Sequence, residues 1–406
     1  VFLGLVALGA WLNARTLQLP HAVAMLLVGL AGALAARGLA AVWPDAGRRM
    51  EATVASVDFA RAVLDYMLGF LLFAGAMQVD LGELRRRRLT VLGLATVGVL
   101  ASTVIVGVGV WLAAQALGVA LTLPWAMVFG ALISPTDPVA VLATVKRGDL
   151  SKTLQVILQG EALFNDGVGI VVFTALVAYA SGATPDGLLA AGGVFVEAVG
   201  GLALGAAAAL LVIHAMRRVD DFVIEVMLSV ALAMGVYAGA QALHLSGPIA
   251  VVGAGLLVGD RQFARTGAAT EAYLHDFWGL VDELLNALLF FLLGLELLVL
   301  PLDPGLVGLG VAATLLVTLA RFVVVLPWGA RLQVRHEQAG ASLILAWGGL
   351  HGALSLALAL SMPEGPARTT LLAVTYAVCT FSVAVQGLTF MPFAGWLRRR
   401  AAARAA

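Results

Sequence analysis

The chain has 406 residues, 61% of them hydrophobic and 12% charged, with zero formal net charge and a mean hydropathy of +1.00. Such a chain cannot furnish the polar shell of a soluble domain, and its apolar runs are continuous rather than alternating, which excludes a β-barrel. What remains is an all-α polytopic membrane protein; the neutral balance implies no nucleic-acid partner, and the single Cys379 cannot form an intrachain disulfide.

Thirteen candidate spans are expected in chain order. They lie at 1–14, 20–36, 60–79, 89–116, 122–145, 152–180, 187–215, 222–243, 247–259, 274–299, 304–330, 338–362 and 369–396. The first reads as a span rather than a cleavable signal, because its pattern continues into the next. The ninth is short and Gly-rich. Charge and turn clusters punctuate the runs, as in LGELRRRR (81–88) and KRGDLSK (146–152). With the N-terminus outside, the inward loops hold eighteen of the twenty-four basic residues, among them Arg85 to Arg88, Lys152, Arg217 and Arg398 to Arg400. The outward side keeps five, so the expected orientation is N-terminus outside and C-terminus cytoplasmic, in a bacterial inner membrane. The run at 85–88 reads as a topology anchor, although acidic lipid headgroups would attract it.

Two spans are interrupted. In the fifth, AMVFGALISPTDPVAVLATV, Pro135 and Pro138 bracket Thr136 and Asp137, and each proline removes a backbone donor. In the twelfth, LILAWGGLHGALSLALAL, Gly348, Gly349 and Gly352 surround His351. If helices one to six and eight to thirteen form two inverted six-helix repeats, each break falls in the fifth helix of its half. Paired breaks of this kind point to a transport site near the membrane midplane, since unwound backbone is tolerated there only within protein or beside a wet cavity.

The sixth span contains GEALFNDG (160–167), which carries Glu161 and Asp166 into apolar sequence. An ionised acid at the bilayer centre costs at least a few kcal/mol, so each acid needs a reason to be there. Asp166 lies near mid-depth, and Asp137 lies at the break of the preceding span. Two such carboxylates facing one cavity can hold a proton or a small cation in competition, which is the logic of antiport. Carboxylate, hydroxyl and carbonyl oxygens suit a hard cation such as Na⁺, and Thr136 supplies a hydroxyl. A purely structural hydrogen bond is the alternative account of Asp166, and the cost of burying an acid disfavours it. A channel would use acids as a selectivity ring without a proton-competing site. An intramembrane aspartyl protease also uses two acids, but its Gly-x-Gly-Asp stretch is absent. A Na⁺-coupled solute symporter would need a second, substrate-sized pocket. No nucleotide loop or zinc spacing is present, and no cofactor is expected.

SPTDPVAV (134–141) and GEALFNDG (160–167) resemble the two signature stretches of the monovalent cation/proton antiporter family that includes the sodium/proton exchangers. FFLLGLEL (290–297), LHLSGPIAVVGAGLLVG (243–259), LARFVVVLP (319–327) and AWGGLHGALSLALAL (346–360) extend the resemblance over most of the chain. It implies about thirteen helices with two crossing broken helices, the fifth and the twelfth. It also implies a homodimer in which a scaffold, 1–85 and 187–300, carries a mobile ion-binding core, 86–186 and 301–400. Asp166 is implied as the main ion- and proton-binding acid. Thr136 and Asp137 are implied at the crossing, with Asn165 as the neutral neighbour of Asp166. The Asn-Asp pair implies electroneutral exchange of Na⁺, or alternatively K⁺, for H⁺.

Glu161 and Arg321 would each be costly to bury alone, and pairing them solves both problems; the resemblance implies the same pair. A core-stabilising ion pair is preferred over a role for Arg321 in tuning Asp166. The chain departs from the family at His351, where relatives commonly have Arg, and at Ala162 and Gln159, where they often have Ser and Glu. His351 is a candidate pH-tuning group, but a polar plug donating to freed carbonyls is the preferred reading. Asp282 and Glu283 could line a cytoplasmic funnel, with solvated helix-end residues as the preferred account. Asp65 and Glu197 are left between an interface and the cavity.

Overall fold

A computed structural model describes residues 2–55, 58–137, 150–182, 187–219, 221–260, 268–298, 304–334 and 340–405. Its helices in chain order are α1 (Phe2–Arg15), α2 (His21–Val42), α3 (Pro44–Ala55), α4 (Leu68–Met77), α5 (Leu81–Ala116) and α6 (Leu123–Ile133). There follow α7 (Lys152–Ala180), α8 (Gly187–Met216), α9 (Phe222–Ala242), α10 (Gly247–Val258) and α11 (Ala268–Leu295). The last are α12 (Pro304–Val334), α13 (Ala341–Trp347), α14 (Ala353–Leu360) and α15 (Pro366–Leu397). Wide π-type turns occupy Ala62–Met67 before α4, Leu94–Gly98 within α5 and Ser382–Gln386 within α15.

Every expected span falls on a helix, and the twelfth falls on the pair α13 and α14. The second arm of the fifth span, with Pro138, lies outside the described residues, as do Lys146, Arg147, Arg261, Arg265 and Arg335. Among the described residues, eight helices are long and apolar enough to cross a bilayer by length and composition. Phe2–Arg15, Leu123–Ile133 and Gly247–Val258 are shorter apolar helices. The only residue bridge of the extended type among the described residues joins Asp137 to Leu350.

Several boundaries differ from the sequence expectation for local reasons. α5 starts at Leu81 rather than 89, because Asp80 caps it by accepting from Glu83 N at 2.9 Å. The four arginines are therefore helical, and Glu83 pairs with Arg86 and Arg87 one turn on. Helix α3, with its mixed charge, was not expected as an element. α11 starts at Ala268 rather than 274, which moves Asp282 to the middle of a 28-residue helix. The short, Gly-rich ninth span is a helix whose apolar residues are nearly all buried, and Ser246 caps it through Ile249 N.

Packing follows the distribution of small residues. α2 lies along α11, where Gly29 meets the carbonyl of Phe291 and leaves no room for a side chain. α10 sits among α4, α8 and α9. In the other part of the molecule α5 packs on α6 and α12, α7 packs on α6 and on the start of α5, and α12 packs on α13 and α15. One continuous apolar core runs through both groups, from Phe73 and Trp278 to Phe129 and Phe390.

Candidate functional site

α6 stops at Ile133, and the chain continues through Ser134–Asp137 without helix. Ser134 Oγ donates to Gly130 O at 2.6 Å and lies 3.2 Å from Thr103 Oγ1 of α5, which secures the helix end. The second break separates α13 from α14 at Gly348–Gly352. The two breaks cross. Asp137 N donates to Leu350 O at 2.7 Å. His351 Nδ1 lies 3.2 Å from Pro135 O, and His351 N donates to Ser382 Oγ at 2.9 Å. The wide turn in α15 brings Ser382 and Gln386 together, and the Ser382 hydroxyl donates to Gln386 Oε1 at 2.6 Å. Cys379 Sγ donates to Gly352 O at 3.2 Å. These bonds meet backbone groups that the missing helical turns would leave bare.

Glycine is required at position 352. A Cβ there would lie 2.5 Å from Asp137 Oδ2, so the Asp137 carboxylate rests directly on backbone.

α7 begins at Lys152, where Ser151 caps it through Leu154 N at 3.3 Å. It carries Asn165 to the crossing, and Asn165 Nδ2 donates to Thr136 Oγ1 at 3.0 Å. The next residue, Asp166, faces a cavity of about 120 Å³. Thr136, Asp137, Gln159 and Ala162 line the same wall, and Gly352 of the second break and Ser355 of α14 close it. The facing wall contributes Gln78, Asp282 and Asn286. Asn286 Nδ2 donates to Asp282 Oδ1 at 2.9 Å. Asp282 is thus part of the cavity and not a solvated helix-end residue, while Glu283 is exposed and does not line it. The sequence could not show this, because the early start of α11 and its position opposite α7 are both tertiary facts. Asn286, Gln78 and Ser355 were missed for the same reason.

Ala162 and Gln159 both reach this cavity, where Ala162 offers no oxygen and Gln159 one neutral amide oxygen. Among the described residues, no three His, Cys, Asp or Glu side chains converge as a metal-ion cluster. A small cation here would be held by a few protein oxygens together with water.

Glu161 lies on another face of α7. Arg321 NH1 donates to Glu161 Oε1 and NH2 to Oε2, the latter at 2.9 Å, in a two-pronged pair. NH2 also donates to Leu345 O at 3.3 Å. Glu161 is 1% exposed and Arg321 9%. A side chain at Gly349 would collide with the guanidinium. The pair joins α7 to α12 beside the crossing but does not line the Asp166 cavity. His351 is likewise buried and turned to the carbonyl of Pro135, the geometry of a polar plug.

Asp65 and Glu197 line a separate cavity of about 590 Å³ on the far side of Asp166 along α7, with Thr174, Tyr237 and Gln241. Arg61 lies 3.5 Å from Asp65. Another cavity, about 760 Å³ between α12 and α15, is apolar and has no carboxylate among the described residues of its walls.

The family model described as "Sodium/hydrogen exchanger, transmembrane" matches residues 3–396. The chain is 39% identical over 403 residues to the Na(+)/H(+) antiporter NhaP of Pseudomonas aeruginosa, covering 96% of this chain and 94% of that protein. It is 33% identical over 389 residues to the Na(+)/H(+) antiporter NhaH of Halobacillus dabanensis, covering 93% and 92%. In fold it is similar to the sodium proton antiporter MjNhaP1 of Methanocaldococcus jannaschii, with a TM-score of 0.72 at 21% identity, over 98% of this chain and 96% of that one.

Proposed function

The chain belongs to the sodium/hydrogen exchanger family of multi-pass membrane proteins, and from that membership we propose that it exchanges Na⁺ for H⁺ across the membrane, with Asp166 carrying either ion. The observation that carries this reading is the crossing at Asp137 and Leu350, beside which Asp166, Asp137 and Thr136 share one cavity. A bare carboxylate is disfavoured in such a place, so Asp166 binds one partner or the other. Na⁺ and H⁺ therefore compete for it. When the site opens alternately to each side, that competition drives one ion by the gradient of the other.

Asn165 is neutral and its amide is committed to Thr136. Asp137 keeps one protonation state, set against the backbone of Gly352 and Leu350. One Na⁺ then replaces one H⁺ and exchange is electroneutral. The bonds that join α6, α7, α13, α14 and α15 support a core, 86–186 and 301–400, that moves as a unit against a scaffold, 1–85 and 187–300, in a homodimer embedded in lipid. The orientation is N-terminus outside and C-terminus cytoplasmic, in a bacterial inner membrane.

The test uses purified protein in acid-loaded liposomes with a pH-sensitive dye. External Na⁺ should alkalinise the lumen without any organic solute, and the same trace run with Li⁺ and K⁺ ranks the cations. Asp166→Asn should fold, because an amide is cheaper to bury than a carboxylate, and should give no flux. Cation-driven proton flux from well-folded Asp166→Asn protein would remove Asp166 from the mechanism.

A further inference from the structure

We propose that Asp282 is a second cation-holding acid, one that engages the ion only while the cavity opens toward the Asp80 and Lys152 end of the membrane. The inference rests on the exchange reading above and adds a residue that the two signature stretches do not contain.

Four observations carry it. Asp282 lines the same cavity as Asp166 and Asp137, although it stands in the middle of α11. Its carboxylate is aimed, since Asn286, itself 5% exposed, donates to Oδ1 one helical turn on. Gln78 and Gln159 line the cavity with it, and Gln78 lies two residues before Asp80, which pairs with Lys152. Among the described residues, Gln78 is the one exposed residue in the cavity's lining, so the open end lies toward Asp80 and the Lys152 end of α7. Finally, α11 packs along α2 and α4, whereas α6, which leads into Thr136, and α7, which carries Asp166, pack chiefly on α5 and on each other. Asp282 and Asp166 thus stand on opposite walls built from different helices.

The cavity, about 120 Å³, has space for a cation with several waters, since one water needs roughly 10–15 Å³ of such space. Carboxylates on two walls hold such an ion between them through water, and the cation offsets the repulsion between the two like charges. The shell that Ala162 and Gln159 leave poor in oxygen is completed from across the gap. Any slide of one wall against the other takes Asp282 away from the ion while Thr136 and Asp166 stay with it. Affinity for the cation is then higher at one face of the membrane than at the other.

The experiment measures the apparent KM for Na⁺ separately at each face, in liposomes with protein of one orientation. Asp282→Asn should raise KM about tenfold at the Lys152 face, which is the loss of about 1.4 kcal/mol of binding. The maximal rate and the KM at the opposite face should stay within about twofold. Asn286→Ala should shift the same face in the same direction but less, because the acid remains and only its aim is lost. Asp282→Glu should recover most of the affinity and serves as the readout if the Asn variant is poorly folded. An unchanged KM, an equal rise at both faces, or a fall in maximal rate alone would overturn the proposal. Asp166→Asn is run in parallel. If it still exchanges ions, the exchange reading fails; if it is inactive while Asp282→Asn matches the unaltered protein, only this inference fails.

Discussion

Removing Arg321 should expose how much of the fold hangs on one ion pair. Glu161 is 1% exposed and receives two guanidinium N–H bonds, so Arg321→Ala leaves a carboxylate in an apolar setting without a countercharge. Breaking a buried pair from one side costs about 3–5 kcal/mol. Leu345 O also loses a donor, which adds about 1 kcal/mol. Glu161→Ala leaves the guanidinium stranded at 9% exposure and should cost somewhat less, since the longer side chain can reach water. The double variant loses both charges together. It should recover about 2 kcal/mol or more relative to the sum of the single losses, the coupling expected of residues in direct contact. Melting midpoints in detergent, taken for all four proteins under one protocol, give the cycle. A double variant that melts no higher than the worse single variant would refute the reasoning, and Glu161 and Arg321 would not be energetic partners.

Imposing a K⁺/valinomycin potential of either sign should leave the exchange rate in liposomes unchanged, because the loaded site has the same charge with Na⁺ or H⁺; an uncompensated charge would feel about 2.3 kcal/mol per 100 mV. A rate that follows the sign of the voltage would show a second titrating group, with Asp137 the first to examine. Gly352→Ala should depress transport strongly while sparing expression, since its Cβ would have to displace the Asp137 carboxylate from 2.5 Å; wild-type flux would place Asp137 outside the ion path. At the turn before α5, Lys152 beside Asp80 holds that carboxyl below the usual carboxylate range. A depressed folded-state value contributes stability above the unfolded value and loses it as pH falls through the folded one. Lys152→Met should therefore lower stability slightly near neutral pH, by less than about 1 kcal/mol for so exposed a pair, read as a small drop in melting midpoint. The difference should vanish below about pH 3.

What could be read from the sequence was whatever local chemistry announces by itself. Prolines around Thr136 and Asp137, and glycines around His351, marked both breaks because they remove donors and permit unwound backbone. Asp166 and the pair of Glu161 with Arg321 were legible from the cost of burying charge. The cavity's other wall was not. Gln78, Asp282 and Asn286 are ordinary helix residues until α4 and α11 are set opposite α7, and no periodicity in α11 encodes that placement. The same holds for Ser382 and Gln386, whose meeting depends on a wide turn that has no proline or glycine signal at its start. Asp65 and Glu197 were undecided in the sequence for want of a neighbour, and the structure sets both on one cavity with residues of α7 and α9.

Cys379 gives the molecule a practical property. It is the sequence's one cysteine and is fully buried, with its sulfur against the carbonyl of Gly352. Thiol reagents added from water should leave it untouched while the crossing is intact. A cysteine introduced at Gln78 on one cavity, or at Thr174 on the other, can then be labelled selectively without first rebuilding the native protein. Comparing the labelling rate of each with and without Na⁺ would chart which mouth is open. Late modification of Cys379 itself would time the loosening of the crossing.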